Sequence, residues 1–377
     1  MISPSNVDAL HPETIEELRG LILDHPRVLV RGRCTKGAIP TSTLDPAVIA
    51  MDRFEGVLDY QPSEFVFTAM AGTTLAEISE MLATRRQTLP FDPPLVRAGA
   101  TLGGTVAAAM NGPGRHRFGG VRDFILGADF LTGDGKMIRS GGSVVKNAAG
   151  FDFPKLMIGS LGQLAAMVNL TFKVFPKSET LTSFEIRCVD HAEACRRIGE
   201  LARGRWEFDA IDYDARRRSI WLRLPTTTSV ASEMKPDIER IAGELKPLDP
   251  ASWQRIEDLA LLESDGLIFR FATRLEHLNA LSTWADEHPD DASVHGSAAG
   301  GLTWLAASPC TWESLATLLE TLNLSCLLLR GNSQFTTPSF HDRERDAETN
   351  RMWSRIKSAM DPDSRFILPS PPRPFGC

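Results

Sequence analysis

Two nucleotide-binding signatures are missing from these 377 residues: there is no G-x-G-x-x-G and no G-x-x-x-x-G-K-[ST]. A Rossmann fingerprint and a Walker A loop are therefore excluded as the means of holding a phosphate. H-E-x-x-H is absent, and no two of the six cysteines form C-x-x-C, so no metal site is expected. The thiols Cys34, Cys188, Cys195, Cys310, Cys326 and Cys377 read as reduced side chains of a cytoplasmic protein. No run of about 18 apolar residues occurs, so no membrane span is expected. Met1 to Glu17 has no basic stretch followed by an apolar one, the mark of a secretory leader. Basic charge is not in excess either: 41 Lys and Arg stand against 48 Asp and Glu, a net charge of −7. That disfavours a broad nucleic-acid surface and leaves room only for a local basic groove.

What is present is an ordinary soluble composition, long enough for two or three structural units. In the first segment, about Val7 to Asp92, Thr14-Ile15-Glu16-Glu17 reads as a helix start with acidic residues in its first turn. Val28-Leu29-Val30-Arg31-Gly32 reads as a strand stopped by glycine, Phe65 to Gly72 as another, and Leu75 to Leu82 as a helix. The second segment, Pro93 to Pro176, is dense in glycine. Phe124 to Leu131 and Met137 to Ser140 flank a D-G hairpin signal, and Asn169 to Val174 alternates in period two before Pro176. The third segment, about Lys177 to Phe335, alternates strands and helices, with helices expected over His191 to Ala202 and Glu233 to Leu245. That rhythm suggests helices on one face of a mainly antiparallel sheet, with a degenerate duplication as one origin. Asp342 to Met360 reads as a charged amphipathic helix.

Four glycine-bearing blocks carry the chemistry. Arg31-Gly32-Arg33-Cys34-Thr35-Lys36 follows a strand directly and is either a cradle for a pyrophosphate or a basic surface turn. The run Gly99 to Gly112 goes from loop into an Ala-rich helix, whose first N–H groups would be unpaired and face an anion, or which packs closely through small residues. Phe118-Gly119-Gly120-Val121-Arg122-Asp123 precedes a buried strand, and Arg122 pairs with Asp123 or reaches a phosphate. Gly141 to Asp152, then Gly159-Ser160-Leu161-Gly162, is too rich in glycine and polar groups to read as packing alone.

In order and spacing, these blocks resemble the PCMH-type FAD-binding module of the vanillyl-alcohol-oxidase-like flavoproteins. The resemblance rests on Arg31-Gly32…Thr35-Lys36, Ala71-Gly72-Thr73-Thr74-Leu75, Lys146-Asn147…Gly150-Phe151-Asp152, Leu156…Gly159-Ser160…Gly162 and Lys173-Val174…Pro176. Leu89-Pro90-Phe91-Asp92-Pro93-Pro94, Asn111-Gly112-Pro113-Gly114-Arg115, Val121 to Gly127, Gly300 to Leu305 and Leu328-Leu329-Arg330-Gly331 resemble the FAD-binding E subunit of bacterial glycolate oxidases.

The resemblance implies an α+β chain. Residues 1–176 form a two-part FAD-binding domain (about 7–92 and 93–176), 177–335 a smaller α+β, ferredoxin-like cap, and 336–377 a C-terminal helix returning to the FAD domain. It implies that Arg31, Gly32, Arg33, Cys34, Thr35 and Lys36, with Gly99, Thr101, Leu102, Gly103, Gly104 and Val106, embrace the FAD pyrophosphate. Gly112, His116, Phe118, Gly119, Arg122, Lys146, Asn147, Gly162 and Val168 complete the expected cofactor set. Thr35 stands where covalent relatives often carry histidine, so non-covalent FAD is expected. Cys34 replaces a usual glycine and is strained if its φ is positive. Met360-Asp361-Pro362…Phe366-Ile367-Leu368-Pro369 resembles the family's D-P-x-x-x-F-N-P-G ending without its Asn and Gly, which removes a usual flavin-ring contact.

The related 2-hydroxy-acid dehydrogenases carry G-H-x-G-D-G-N, and this chain does not. Val294-His295-Gly296-Ser297 is its nearest echo, and His295 reads as a structural or surface histidine. No catalytic residue is assigned. The resemblance implies an oxidoreductase subunit of a 2-hydroxy-acid (glycolate) oxidase complex. Its partners would be a catalytic flavoprotein and an iron–sulfur subunit, in the cytoplasm or held at the inner membrane through them. The alternatives are a free-standing FAD oxidoreductase for a small alcohol or hydroxy acid, and a scaffold subunit that has lost flavin.

Overall fold

The first helix begins where a side chain can cap it. Thr14 Oγ1 accepts the Glu17 N–H at 3.1 Å, and Ile15–Asp24 follows. The computed structural model that shows this describes residues 9–36, 46–142, 152–260, 266–331 and 347–367. Within these, the chain divides into two compact units, one drawn from Met1–Asn111, Gly120–Pro176 and Glu344–Arg373, the other from Gly112–Gly119 and Lys177–Arg343. No helix among the described residues is long and apolar enough to cross a membrane.

In the first unit the helix Ile15–Asp24 turns Leu18 and Ile22 onto a core with Val28, Ile49, Leu131, Val168 and Phe366. Each such buried aliphatic side chain contributes about 1.5–3 kcal/mol. Strand Val28–Arg31 runs parallel to Ala47–Ala50. A five-stranded antiparallel sheet lies in the order Val57–Gln61, Val66–Met70, Ala166–Lys173, Ile125–Leu131, Met137–Gly141. It therefore takes strands from both sides of residue 92. The helix Ala347–Met360 belongs to this unit, and the tail beyond it adds a parallel bridge at Val28.

The second unit is built on one eight-stranded sheet, antiparallel at every pairing. Strand–helix–strand–strand–helix–strand occurs twice, over 182–247 and 267–330. In each half the spatial order is fourth, first, third, second strand, and the two second strands, Ala210–Asp214 and Ala292–Ser297, pair at the seam. This is the ferredoxin-like arrangement used twice, and it accounts for the duplication suspected in the sequence. His191–Ala202, Leu275–Asp286 and Trp312–Thr321 cover one face: His191 bonds Tyr213, the Cβ position of Gly296 abuts Leu278, and Trp312 stacks on Phe269.

Candidate functional site

Because side chains alternate along a strand, the face of the second sheet opposite Tyr213 and Phe269 carries Trp221, Arg223, Asp212, Ser293, His295, Ser297, Trp304 and Arg270 in paired register. This is an unusually polar buried surface. Arg223 and Asp209 form a buried ion pair at 2.7 Å. Asp212, fully buried, accepts His295 Nε2 at 2.9 Å and Ser297 Oγ at 2.8 Å. The segment Gly112–Gly119 belongs to this unit, and Arg117 pairs there with Glu207. Burial holds the His116 imidazole below its ordinary pKa, partly opposed by the Asp212 carboxylate. Burial, with Arg115 nearby, lowers Arg270 to about 10. Gly112, His116, Phe118 and Gly119 are thus placed in the second unit.

In the first unit the other glycine blocks meet, although up to about 130 residues separate them in sequence. A Cβ added to Gly32 would lie 2.5 Å from Thr101 Oγ1. One added to Gly104 would lie 3.0 Å from that oxygen and 3.6 Å from Lys36 Nζ. Gly99, at φ +85°, comes beside Arg33, and Gly162, at φ +77°, beside the Val30 carbonyl. Gly159 and Leu161 donate N–H groups to the carbonyls of Val106 and Ala107, and Ala71 donates to Val168 O. Leu102 and Val106 are fully buried and pack. Arg122 is exposed, and Asp123 bonds the Gly120 N–H. Lys146 and Asn147 lie outside the described residues.

One expectation fails in an instructive way. The first N–H groups of the helix Leu102–Ala107 are not left for an anion: Leu102 donates to Thr73 O, Gly103 to Ala71 O and Gly104 to Thr101 Oγ1. The turn instead offers close backbone approach beside Lys36. Two buried hydroxyls in the same blocks, Thr105 Oγ1 and Ser160 Oγ, have no partner among the described residues. A cradle without Cβ atoms, a lysine and two unused buried hydroxyls suits a phosphate-bearing cofactor.

Residues 9–141 match the FAD binding domain family. Over 257 residues the chain is 32% identical to the glycolate oxidase subunit GlcE of Escherichia coli (strain K12), covering 66% of this chain and 68% of that one. The chain belongs to the GlcE family. A D-lactate dehydrogenase of Archaeoglobus fulgidus is 29% identical over 44% of this GlcE-family chain, which spans only 37% of that relative's length. The solved structure of an alkyldihydroxyacetonephosphate synthase superposes with a TM-score of 0.66 over 97% of this chain and 77% of its own, at 14% identity. That likeness is one of fold alone, and it bears out a PCMH-type FAD-binding architecture with mixed helices and sheets.

The strained position foreseen in the first loop is real: Cys34 has φ +53°. A non-glycine residue pays about 1–2 kcal/mol to sit in the left-handed region. Cys34→Gly is therefore expected to raise stability by up to about 1 kcal/mol, read as a later urea midpoint. An earlier midpoint would show that the Cys34 side chain contributes more than its backbone costs. Asp212, Ser297 and Arg270 carry no motif of their own; for Asp212 and Ser297 the signal in the sequence is the period-two polar pattern of Asp212-Tyr213-Asp214 and Ser293-Val294-His295-Gly296-Ser297.

Proposed function

We propose that this GlcE-family chain is the FAD-carrying subunit of a 2-hydroxy-acid oxidase complex, with glycolate the leading substrate class and FAD held without a covalent bond. The observation that carries the proposal is the approach of Gly32 and Gly104 to Thr101, and of Gly104 to Lys36, in a chain matched to FAD binding domains. In this reading the glycines give the cofactor's phosphates room to approach the backbone. Lys36 supplies positive charge, and Thr105 and Ser160 supply hydroxyl donors. Thr35 offers no imidazole for a covalent link. Bound FAD supplies a two-electron acceptor, and the chain's own residues position it and exclude water. Relatives named as glycolate oxidase subunits, GlcE of Escherichia coli and GlcD of Bacillus subtilis, support a multi-subunit assembly. We extend this to a catalytic flavoprotein partner and an iron–sulfur partner.

The test is the absorption spectrum of the purified chain before and after denaturation, followed by anaerobic glycolate or D-lactate. A flavin spectrum whose chromophore stays in the supernatant after the protein is precipitated is expected, with little bleaching in the absence of partners. A colourless chain that refuses added FAD would overturn the flavin assignment. Rapid bleaching of the isolated chain would replace the relay subunit with a free-standing enzyme.

A further inference from the structure

The helix Thr228–Ala242 seats Ala231, Ile238 and Ala242 in the core of the second unit. At about 100° per residue these three fall within about 40° of one another around the helix axis. Beside them, within a further arc of about 40°, come Val230, Met234 and Ile241. Val230 and Ile241 are 44% and 40% exposed, and Met234 is half-buried. Single apolar residues on a surface need no explanation, but a stripe of them along three turns does. The apolar face of this helix is wider than the unit itself covers.

The charges beside the stripe say what would cover it. Glu233 and Arg240 are both exposed and lie on the same side of it, about 10 Å apart along the axis. The Glu233 side chain has no partner among the described residues. Arg240 and Arg205 share one carboxylate, that of Asp237, which leaves one positive charge over. Lys235 and Glu239 compensate each other at 3.5 Å. One flank of the stripe therefore carries a surplus anion towards its start and a surplus cation towards its end. A second copy laid parallel would set Glu233 on Glu233 and Arg240 on Arg240. Laid antiparallel, about a twofold axis at the level of Lys235 and Pro236, it sets Val230 against the partner's Ile241. Glu233 then comes within about 3 Å, along the axis, of the partner's Arg240, and the symmetry makes each contact twice.

We propose that the helix Thr228–Ala242 is a self-association surface. Two copies of this chain pair on it antiparallel through Val230, Met234 and Ile241, and Glu233 and Arg240 fix the direction. One helix of four turns buries less than the roughly 800 Å² per partner of a standard interface, so the dimer is a reversible one. The surface does not rest on the flavin reading, because every residue in it belongs to the second unit.

The test is sedimentation equilibrium of the full chain from about 1 to 100 μM, a range that spans weak association. A monomer–dimer equilibrium is expected. Ile241→Asp, at an exposed position, should weaken it at least about tenfold. Glu233→Arg and Arg240→Glu, made separately, should each weaken self-association at least about tenfold, because the twofold axis turns two attractions into two repulsions. An equimolar mixture of these two variants should recover a heterodimer of near wild-type affinity, since each of its two contacts then joins opposite charges. Neither misfolding nor a general effect of net charge imitates that recovery. A wild type monomeric throughout would leave the stripe to a different partner and overturn the proposal, and so would a dimer that Ile241→Asp leaves unchanged. Charge variants that each dimerise as well as wild type, or that fail to associate when mixed, would overturn the antiparallel pairing.

Discussion

Gly104→Val yields a folded chain whose FAD affinity falls at least about tenfold, because the added side chain overpacks the cradle. The position is decisive because of what surrounds it. A Cβ there already comes 3.0 Å from Thr101 Oγ1 and 3.6 Å from Lys36 Nζ, and valine adds two more carbons to that space. Gly103, its neighbour, is a different case. A Cβ at Gly103 meets the Ala71 Cβ and the Ala71 carbonyl oxygen, each at 2.9 Å, and a backbone atom cannot swing aside. Gly103→Val is therefore expected to cost stability first, by about 1–3 kcal/mol, and flavin only as a consequence. Made separately, the two variants divide cofactor access from packing, which a double substitution would confuse. The flavin-to-protein absorbance ratio and the circular-dichroism melting temperature decide between them. Full flavin occupancy in a folded Gly104→Val protein would remove the cradle from this place.

The flavin-binding unit is legible in the sequence because its demands are local. Glycine is needed where chain segments come within reach of a Cβ, as Thr101 does at Gly32 and Ala71 at Gly103, and blocks of it set between strands mark such places in the sequence. The same local logic located the Asp134-Gly135 hairpin between Ile125–Leu131 and Met137–Gly141. It failed where distant partners decide. Expected over Glu233 to Leu245, the helix in the second unit runs Thr228–Ala242. Its cap, Thr227, was hidden among three threonines, and Gly243, at φ +88°, ends it earlier than the apolar pattern suggests. The Ala-rich helix after Thr101 is only six residues long, because Ala109 turns to φ +49°. No local feature marks Gly112–Gly119 as part of the second unit, since that assignment is made by contacts such as Arg117 to Glu207, 90 residues apart. His295 reads as a structural or surface histidine, and the carboxylate that makes it a buried structural one, Asp212, is hidden for the same reason, 83 residues away.

Asp361→Ala should destabilise the flavin-binding unit by about 3 kcal/mol, the lower end of the cost of breaking a buried charge pair. Asp361 is fully buried and accepts from the backbone N–H groups of Arg365 and Phe366, at 2.9 and 2.8 Å. It also holds Lys357 Nζ at 2.5 Å. That ammonium donates further to Gln163 O and Phe366 O, both at 2.6 Å. Removing the carboxylate strands one cation and two N–H groups at once. The lower figure applies because the Lys357 side chain remains 20% accessible to water. The lost anchor is also the one that sets the tail against Val28, which donates to Arg365 O and accepts from Ile367 N. Val28 opens the strand that delivers the loop Gly32 to Lys36, so weaker flavin binding should accompany the earlier urea midpoint. Asp361→Asn tests the charge separately: it keeps one acceptor oxygen but presents an NH₂ group to a donor, and should fall between wild type and alanine. An unchanged midpoint in Asp361→Ala would show that the tail is not anchored here. The missing Asn and Gly of the family's ending do not bear on this latch, which uses the Asp361 and Phe366 that the chain retains.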